Sequence, residues 1–190
     1  MQTEDKIQQF FKEKFPFNQE GLQEFSDSFV SKSYHKGKMI IQANSVVHNL
    51  IFLDEGVIRE YFAKDDREMN TNFYTRPQFV NDFFTFTNAI PTKRNLECLS
   101  DVKTREMSMS KFNEFMMKYS CGKSFVDDIF NELIEIKEEE EFKHFSLTPD
   151  ELYLDLMKNK PEWFQEIPLY HIASYLRMTP ETLSRIRKRV

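Results

Sequence analysis

Apolar residues follow helical spacing at both ends of the chain and form short runs in between. Ile7, Phe10 and Phe11 predict an amphipathic helix after Thr3, and a second short helix is expected around residues 19–26. Between about residues 29 and 109 the pattern changes to short runs bounded by turn residues. The clearest of these runs are residues 38–42, 50–53, 57–63, 69–74 and 95–99. Many short strands at such regular spacing predict a β-sandwich, a jelly roll or a barrel.

Helical spacing returns after residue 110. Ser110 is expected to cap a helix that carries Phe112 and Phe115, and a longer helix follows Gly122. The longer helix bears an apolar stripe with the a/d spacing of a coiled coil, which makes it a candidate dimer seam. The stripe consists of Val126, Ile129, Leu133 and Ile136. Packing of the helix on its own domain is the alternative. The acidic run 138–141 is expected to be a solvated face.

The last quarter of the chain contains three further helix signals. Thr148, Pro149 and Glu151 form a capping-box start, and Lys160-Pro161 ends that helix. A helix over 169–176 is followed by a new start at Thr179-Pro180. Two helices joined by so short a turn are typical of a helix-turn-helix. Its inner face is predicted to comprise Leu169, Ile172, Ala173, Leu176, Leu183 and Ile186.

Composition and charge narrow the class of protein. The 190 residues are 40% hydrophobic and 30% charged, which is typical of a globular chain, and no apolar run approaches the roughly 20 residues that span a bilayer. Residues 167–190 hold five basic residues and one acidic residue, a net charge of +4. Because the whole chain has a net charge of −5, residues 1–166 have a net charge of −9. A small basic end on an acidic body suggests one local anionic partner. A solvated basic tail is the alternative.

Residues 179–186, Thr-Pro-Glu-Thr-Leu-Ser-Arg-Ile, resemble the recognition helix of the Crp/Fnr superfamily of bacterial transcription regulators. The resemblance implies an α+β fold: an N-terminal β-roll of jelly-roll type with flanking helices, a long central dimerisation helix and a C-terminal helix-turn-helix. The corresponding divisions are 1–120, 121–145 and 146–190. It also implies a homodimeric cytoplasmic regulator that binds a palindromic operator in double-stranded DNA. Such a protein is not an enzyme, needs no cofactor or membrane, and has RNA polymerase as a further candidate partner.

The resemblance assigns base reading to two residues of the last helix. Glu181 and Arg185 match the family's two main readers, because a carboxylate can accept from a cytosine amino group and a guanidinium can bond a guanine edge. Pro180 replaces a third reader, an Arg, and Arg177 stands where the turn usually has Gly. The other candidate DNA-binding residues are Thr179, Thr182, Ser184, Arg187 and Lys188.

The segment that resembles the family's nucleotide-binding cassette, residues 79–98, departs from it. Asn81-Asp82-Phe83 replaces Gly-Glu-Leu, and Pro91-Thr92 replaces the pair that contains the phosphate-binding Arg. Lys93 and Arg94 are basic but do not occupy the matching position. The candidate effector pocket therefore comprises Asn81, Asp82, Phe83, Thr92 and Arg94, and we expect it not to bind a cyclic nucleotide. An apolar or unidentified effector, or none, remains open.

The sequence does not favour an iron–sulfur sensor or a metal-dependent enzyme. An iron–sulfur sensor needs about four cysteines, and the chain has only Cys98 and Cys121. The four histidines are scattered and lack metal-ligand spacing, so no metal site is predicted, and a cupin-type metal enzyme would need a His-x-His pair. The main alternative is a β-roll ligand-binding protein whose helical tail contacts other proteins.

Overall fold

A double-sheeted β-roll and a run of helices make up the described part of the chain. The computed structural model covers residues 5–11, 19–119 and 122–189; the side chains of residues 11, 19, 20, 122–126, 128–130, 132, 133 and 137 lie outside the description. The helices are α1 (Lys6–Phe11), α2 (Gln19–Asp27), α3 (Phe83–Asn88), α4 (Met109–Lys118), α5 (Gly122–Ser146), α6 (Pro149–Asn159), α7 (Trp163–Glu166), α8 (Leu169–Tyr175) and α9 (Pro180–Arg189). The strands are β1 (Val30–Tyr34), β2 (Met39–Ile41), β3 (Asn49–Glu55), β4 (Ile58–Lys64), β5 (Arg67–Tyr74), β6 (Gln78–Phe79), β7 (Asn95–Cys98) and β8 (Val102–Ser108).

The strands form two antiparallel four-stranded sheets, with the orders β1-β8-β3-β6 and β2-β7-β4-β5. Four consecutive residues of β3, Leu50 to Leu53, are buried. Both faces of this strand are covered, because the other sheet packs against one face and helices pack against the opposite face. On that helix-covered side, the Phe10 ring of α1 meets the Phe52 ring edge-on at 6.1 Å. The jelly-roll prediction is confirmed, and all five predicted runs are strands.

Strands β1, β6 and β8 were not expected from the sequence. β8 pairs with both β1 and β3, and Glu106 on β8 ties the three strands together. Its buried carboxylate accepts hydrogen bonds from Tyr34 Oη at 2.5 Å, Lys32 Nζ at 2.7 Å and Asn49 Nδ2 at 2.8 Å. Burial alone would raise the pKa of Glu106, but these hydrogen bonds outweigh it and hold the pKa below its ordinary value.

The helices that follow the β-roll start largely where the sequence places them. Thr148 and Glu151 form the predicted capping box of α6, and α5 is the predicted long helix. The cap of α4 is a correction: its first-turn amide on Lys111 donates to Ser108 Oγ at 3.3 Å, so Ser108 and not Ser110 is the N-cap.

A second hydrophobic core joins the C-terminal helices to the β-roll. Ile172, Leu183 and Ile186 are fully buried in it, and Val57 and Phe73 enter it from the sheet. The Phe73 ring meets the Trp163 ring edge-on at 5.0 Å. The sheet therefore serves two cores, one on each face. Dividing the chain at residues 120 and 145 stays a prediction.

Candidate functional site

Helices α8 and α9, with the turn 176–179 between them, form what we call the C-terminal helix pair. Arg177 in the turn has a left-handed φ of 56°, the conformation that a Gly adopts without strain. The backbone N–H of Met178 donates to the carbonyl of Ala173 at 3.0 Å, and the Thr182 N–H donates to Thr179 Oγ1 at 3.2 Å. Thr179 therefore caps α9 as expected.

The predicted inner face of the helix pair is buried with one exception. Ile172, Ala173, Leu176, Leu183 and Ile186 are buried, whereas Leu169 is 36% exposed and was wrongly placed in the interior. Leu169 opens α8 at the first position, where the helix has not yet reached the second core.

The predicted outer face of α9 is exposed. Glu181, Ser184, Arg185 and Lys188 lie at helical intervals of three, one and three residues, so they share one side of the helix. The other candidate DNA-binding residues include Arg187, which is exposed, and Thr179 and Thr182, which lie at the N-terminal end of α9. The pKa of Glu181 lies below its ordinary value because its carboxylate accepts hydrogen bonds from its own backbone N–H and from Thr179.

Arg189 is held differently from the other basic residues of α9. Its guanidinium forms an ion pair with Asp150 at the start of α6. This contact holds the C-terminal end of α9 against a neighbouring helix and leaves Arg185 and Lys188 pointing to solvent.

The helix pair is bound to β5 by polar contacts as well as by the second core. The Asn70 side chain donates to the carbonyl of His171 at 3.1 Å and lies 3.2 Å from His171 Nδ1. The Ser174 hydroxyl accepts from the Asn70 N–H at 3.1 Å. His171 is buried, and this burial lowers the pKa of its imidazole. The helix pair is thus fixed directly on the sheet.

Two of the predicted pocket residues have internal structural roles. Asn81 accepts from the Ile51 N–H at 2.7 Å and donates to the Asn49 carbonyl at 2.8 Å, so its amide bridges two backbone groups of β3. Thr92 is completely buried, and its hydroxyl donates to Asp82 Oδ2 at 3.0 Å.

Arg94 is the basic residue of the predicted pocket, and two carboxylates neutralise it. Its guanidinium pairs with Glu60, and its Nε lies 3.6 Å from Asp82 Oδ2. Glu60 also accepts from Thr71 Oγ1 at 2.7 Å and from Tyr74 Oη at 2.9 Å. Burial and the adjacent Glu60 charge raise the pKa of Tyr74 well above its ordinary value.

Glu60 and Arg94 line a cavity of about 570 Å³, whereas the buried Thr92 does not. We call it the junction cavity because three parts of the protein enclose it. The β-roll contributes the Asp82, Phe83 and Arg94 side chains, and the helix pair contributes Tyr175 and Arg177. From α5 the cavity is lined by Ile134, Ile136, Glu140, Glu141 and His144. Sequence reasoning missed Glu60, Tyr74 and the whole contribution of α5 and of the helix pair.

The prediction that the acidic run 138–141 on α5 is a solvated face needs correction. Glu141 forms an ion pair with Arg177, and Glu140 is half-buried, with the Tyr175 hydroxyl 3.4 Å from its carboxylate. Burial raises the pKa of Glu140. The run is therefore not simply a solvated face, because two of its carboxylates contact the helix pair.

The proposed dimer seam falls mostly on side chains outside the description. These are Val126, Ile129 and Leu133. Ile136, the fourth member, is 46% exposed at the edge of the junction cavity. The seam stays a prediction.

Metal, redox and membrane features are stated here for residues 5–11, 19–119 and 122–189 only. Among them, no group of three His, Cys, Asp or Glu side chains is placed to hold a metal ion. Cys98 is free, and burial raises the pKa of its thiol to about 11; Cys121 lies outside the description. No helix in this part of the chain has the length and apolar character needed to cross a membrane.

Comparison with known proteins agrees with this architecture. Residues 31–119 match the family model of the cyclic nucleotide-binding domain, while no curated protein sequence matches the chain. Among solved structures, the chain is similar to FixK2 of Bradyrhizobium japonicum, with 16% identity, a TM-score of 0.68, and coverage of 85% of this chain and 83% of that one.

Two further solved structures extend the likeness over most of the chain. The c-di-GMP-responsive global regulator CLP of Xanthomonas campestris is 12% identical, with a TM-score of 0.66 and coverage of 90% and 91%. The catabolite activator protein of Thermus thermophilus is 12% identical, with a TM-score of 0.58 and coverage of 92% and 84%. The chain therefore shares with these three structures a fold made of an antiparallel β jelly-roll with flanking helices and a C-terminal helical region.

Proposed function

We propose that this protein is a homodimeric transcription regulator of the Crp/Fnr type that reads a palindromic operator with α9. The observation that supports this proposal most strongly is that α9 exposes a polar and basic face while its opposite face is buried in the second core. Leu183 and Ile186 are buried while Glu181, Arg185 and Lys188 are exposed. A major-groove helix needs this arrangement, because its base-reading side chains must be free while its backbone is held rigid.

Charge distribution supports the same proposal. The last turn of α9 contains the exposed Arg187 and Lys188, so positive charge is available where a groove-bound helix meets the phosphate backbone. Glu181 and Arg185 lie one turn apart on the exposed face, in position to contact neighbouring bases. Acidic residues elsewhere in the chain would restrict DNA contact to this end.

Dimerisation is part of the proposal. One recognition helix contacts too little DNA for tight specific binding, whereas two helices about one helical turn apart read two half-sites. The long α5 is the element with the length and the sequence stripe to pair with a second copy. Such a regulator acts on the chromosome and therefore in the cytoplasm.

The proposal is tested by selecting binding sites from random DNA and then comparing two α9 variants on the selected site. We expect a two-fold symmetric site, with the protein eluting as a dimer by light scattering. Arg185→Ala should cost roughly 1–3 kcal/mol on the operator and relax the preference at one base position. Lys188→Ala, the matched loss of one positive charge on the same face, should weaken operator and random DNA alike and reduce the salt slope by about one.

Two results would contradict the proposal. Equal losses for the two variants on operator and random DNA would mean that Arg185 supplies only charge. Failure to enrich any site would favour the other class of function, a β-roll ligand-binding protein whose helical end contacts other proteins.

A further inference from the structure

The junction cavity has a polar, buried floor and an apolar, open rim. Glu60 and Tyr74 on the floor are 3% and 7% exposed, whereas Phe84 and Ile134 at the rim are 58% and 53% exposed. A volume of about 570 Å³ lies within the range of roughly 300–1,000 Å³ that holds small organic ligands. The geometry therefore suits an amphipathic molecule with its polar group inward.

The charges around the cavity favour a cation over an anion. Four carboxylates and two guanidiniums line it; the carboxylates are Glu60, Asp82, Glu140 and Glu141, and the guanidiniums are Arg94 and Arg177. Both guanidiniums are already in ion pairs with carboxylates of the same cavity. A phosphate would have to displace the buried Glu60 from Arg94 and leave that carboxylate uncompensated, which is costly.

Among the described side chains, Glu140 is the carboxylate of this set that forms no ion pair. Its hydrogen-bonding partner is the Tyr175 hydroxyl at 3.4 Å, a long and weak contact, and no described residue forms an ion pair with it. Burial raises the pKa of Glu140, and the charges of Lys160 and Lys143, neither of which forms an ion pair with it, offset this only in part. A ligand ammonium beside Glu140 would supply the missing charge.

We propose that the junction cavity binds an amphipathic organic cation, with its ammonium or amidinium group paired to Glu140 and its apolar body against Ile136 and Phe84. Ile136 and Glu140 lie one turn apart on α5, so one ligand can reach both. Aromatic rings that line the cavity, among them Tyr74, Phe83 and Tyr175, add surfaces that attract cations. This inference concerns the cavity alone and does not depend on DNA binding by α9.

The test uses three probes of matched shape on the purified full chain without DNA: phenylbutylamine, phenylbutanol and phenylbutyrate, each titrated by calorimetry. We expect the amine to bind at least about tenfold more tightly than the alcohol, because a single charge pair in a partly buried site is worth about 1.4 kcal/mol or more. The carboxylate should bind more weakly still. Cyclic AMP, a fourth probe, should not compete with the amine.

Glu140→Gln provides the decisive variant, because it keeps the shape of the side chain and removes its charge. We expect it to weaken amine binding at least about tenfold and to leave the affinity for phenylbutanol unchanged, which also shows that the cavity is intact. Glu138→Gln is the control: Glu138 is exposed on the same helix and does not line the cavity, so its loss should change nothing.

Three outcomes would overturn the proposal: amine binding unaffected by Glu140→Gln, tighter binding of phenylbutyrate or cyclic AMP than of the amine, or no binding by the amine at all. None of these results bears on DNA recognition, which the α9 variants test separately.

Discussion

Phe73 offers a direct test of how the sheet supports the C-terminal helices. Its side chain is 2% exposed, and its ring packs against Trp163 at 5.0 Å and Tyr175 at 6.1 Å. Phe73→Ala removes a buried ring from the centre of the second core, and such a change costs about 3–5 kcal/mol. A protein of this size has roughly 5–15 kcal/mol of stability in total, so the loss is a large part of it.

Trp163 provides a local probe for this experiment, because it is the one tryptophan of the chain. Urea unfolding followed by tryptophan fluorescence reports on the second core, whereas far-UV circular dichroism reports on all helices. We expect the two transitions to coincide in the natural protein. In Phe73→Ala the fluorescence transition should move to lower urea and precede the circular dichroism transition, because the helices lose their anchor on the sheet.

Met69→Ala is the matched control on the same strand. Met69 is 40% exposed, so its truncation should cost less than about 1 kcal/mol. If Phe73→Ala is destabilising by no more than Met69→Ala, or if its two transitions still coincide, the sheet does not anchor the helices in the way described.

Two further predictions concern the turn of the helix pair and the acid stability of the β-roll. Because the backbone of Arg177 is left-handed, Arg177→Gly should be about 1 kcal/mol more stable than Arg177→Ala in thermal unfolding. Both variants lose the same ion pair, so the difference reports the backbone strain at this position alone. Equal stabilities would show that there is no such strain. Glu106 has a lowered pKa in the folded protein, so its charge stabilises the fold above about pH 4.5, and this contribution is lost as the pH falls through the folded-state pKa. The gap in unfolding free energy between the natural protein and Glu106→Gln should therefore shrink on acidification below about pH 4.5, and a constant gap would disprove this role of Glu106.

Local signals in the sequence are sufficient to predict the strands and helices whose burial pattern is regular. The apolar runs of β3 and β4, and the capping box at Thr148, predict the observed elements because each depends on neighbouring residues only. β1 shows the limit. Its residues are exposed or half-buried, and its place in the sheet comes from pairing with β8 some 70 residues away. An edge strand of this kind has no alternation to detect.

The same difference between local and long-range signals decides which candidate sites could be predicted from the sequence. The exposed face of α9 could be predicted because helical spacing separates it from Leu183 and Ile186 within one element. The junction cavity could not, because it assembles Glu60, Arg94, Glu140 and Tyr175 from four distant segments. Arg94, which the sequence places in the candidate pocket, does line the cavity, but its pairing with Glu60 on another strand has no local signal in the sequence.

The double use of the β4–β5 hairpin limits how this protein can be recombined with others. Val57 and Phe73 complete the core beneath the C-terminal helices, while Ile58 and Tyr74, their neighbours in the chain, belong to the core of the β-roll. A chimera that joined these helices to a different sensor would lack Phe73 and the Asn70 contacts to His171, and would expose apolar surface around Trp163. Productive exchange of modules would require the hairpin to be transplanted together with the helices.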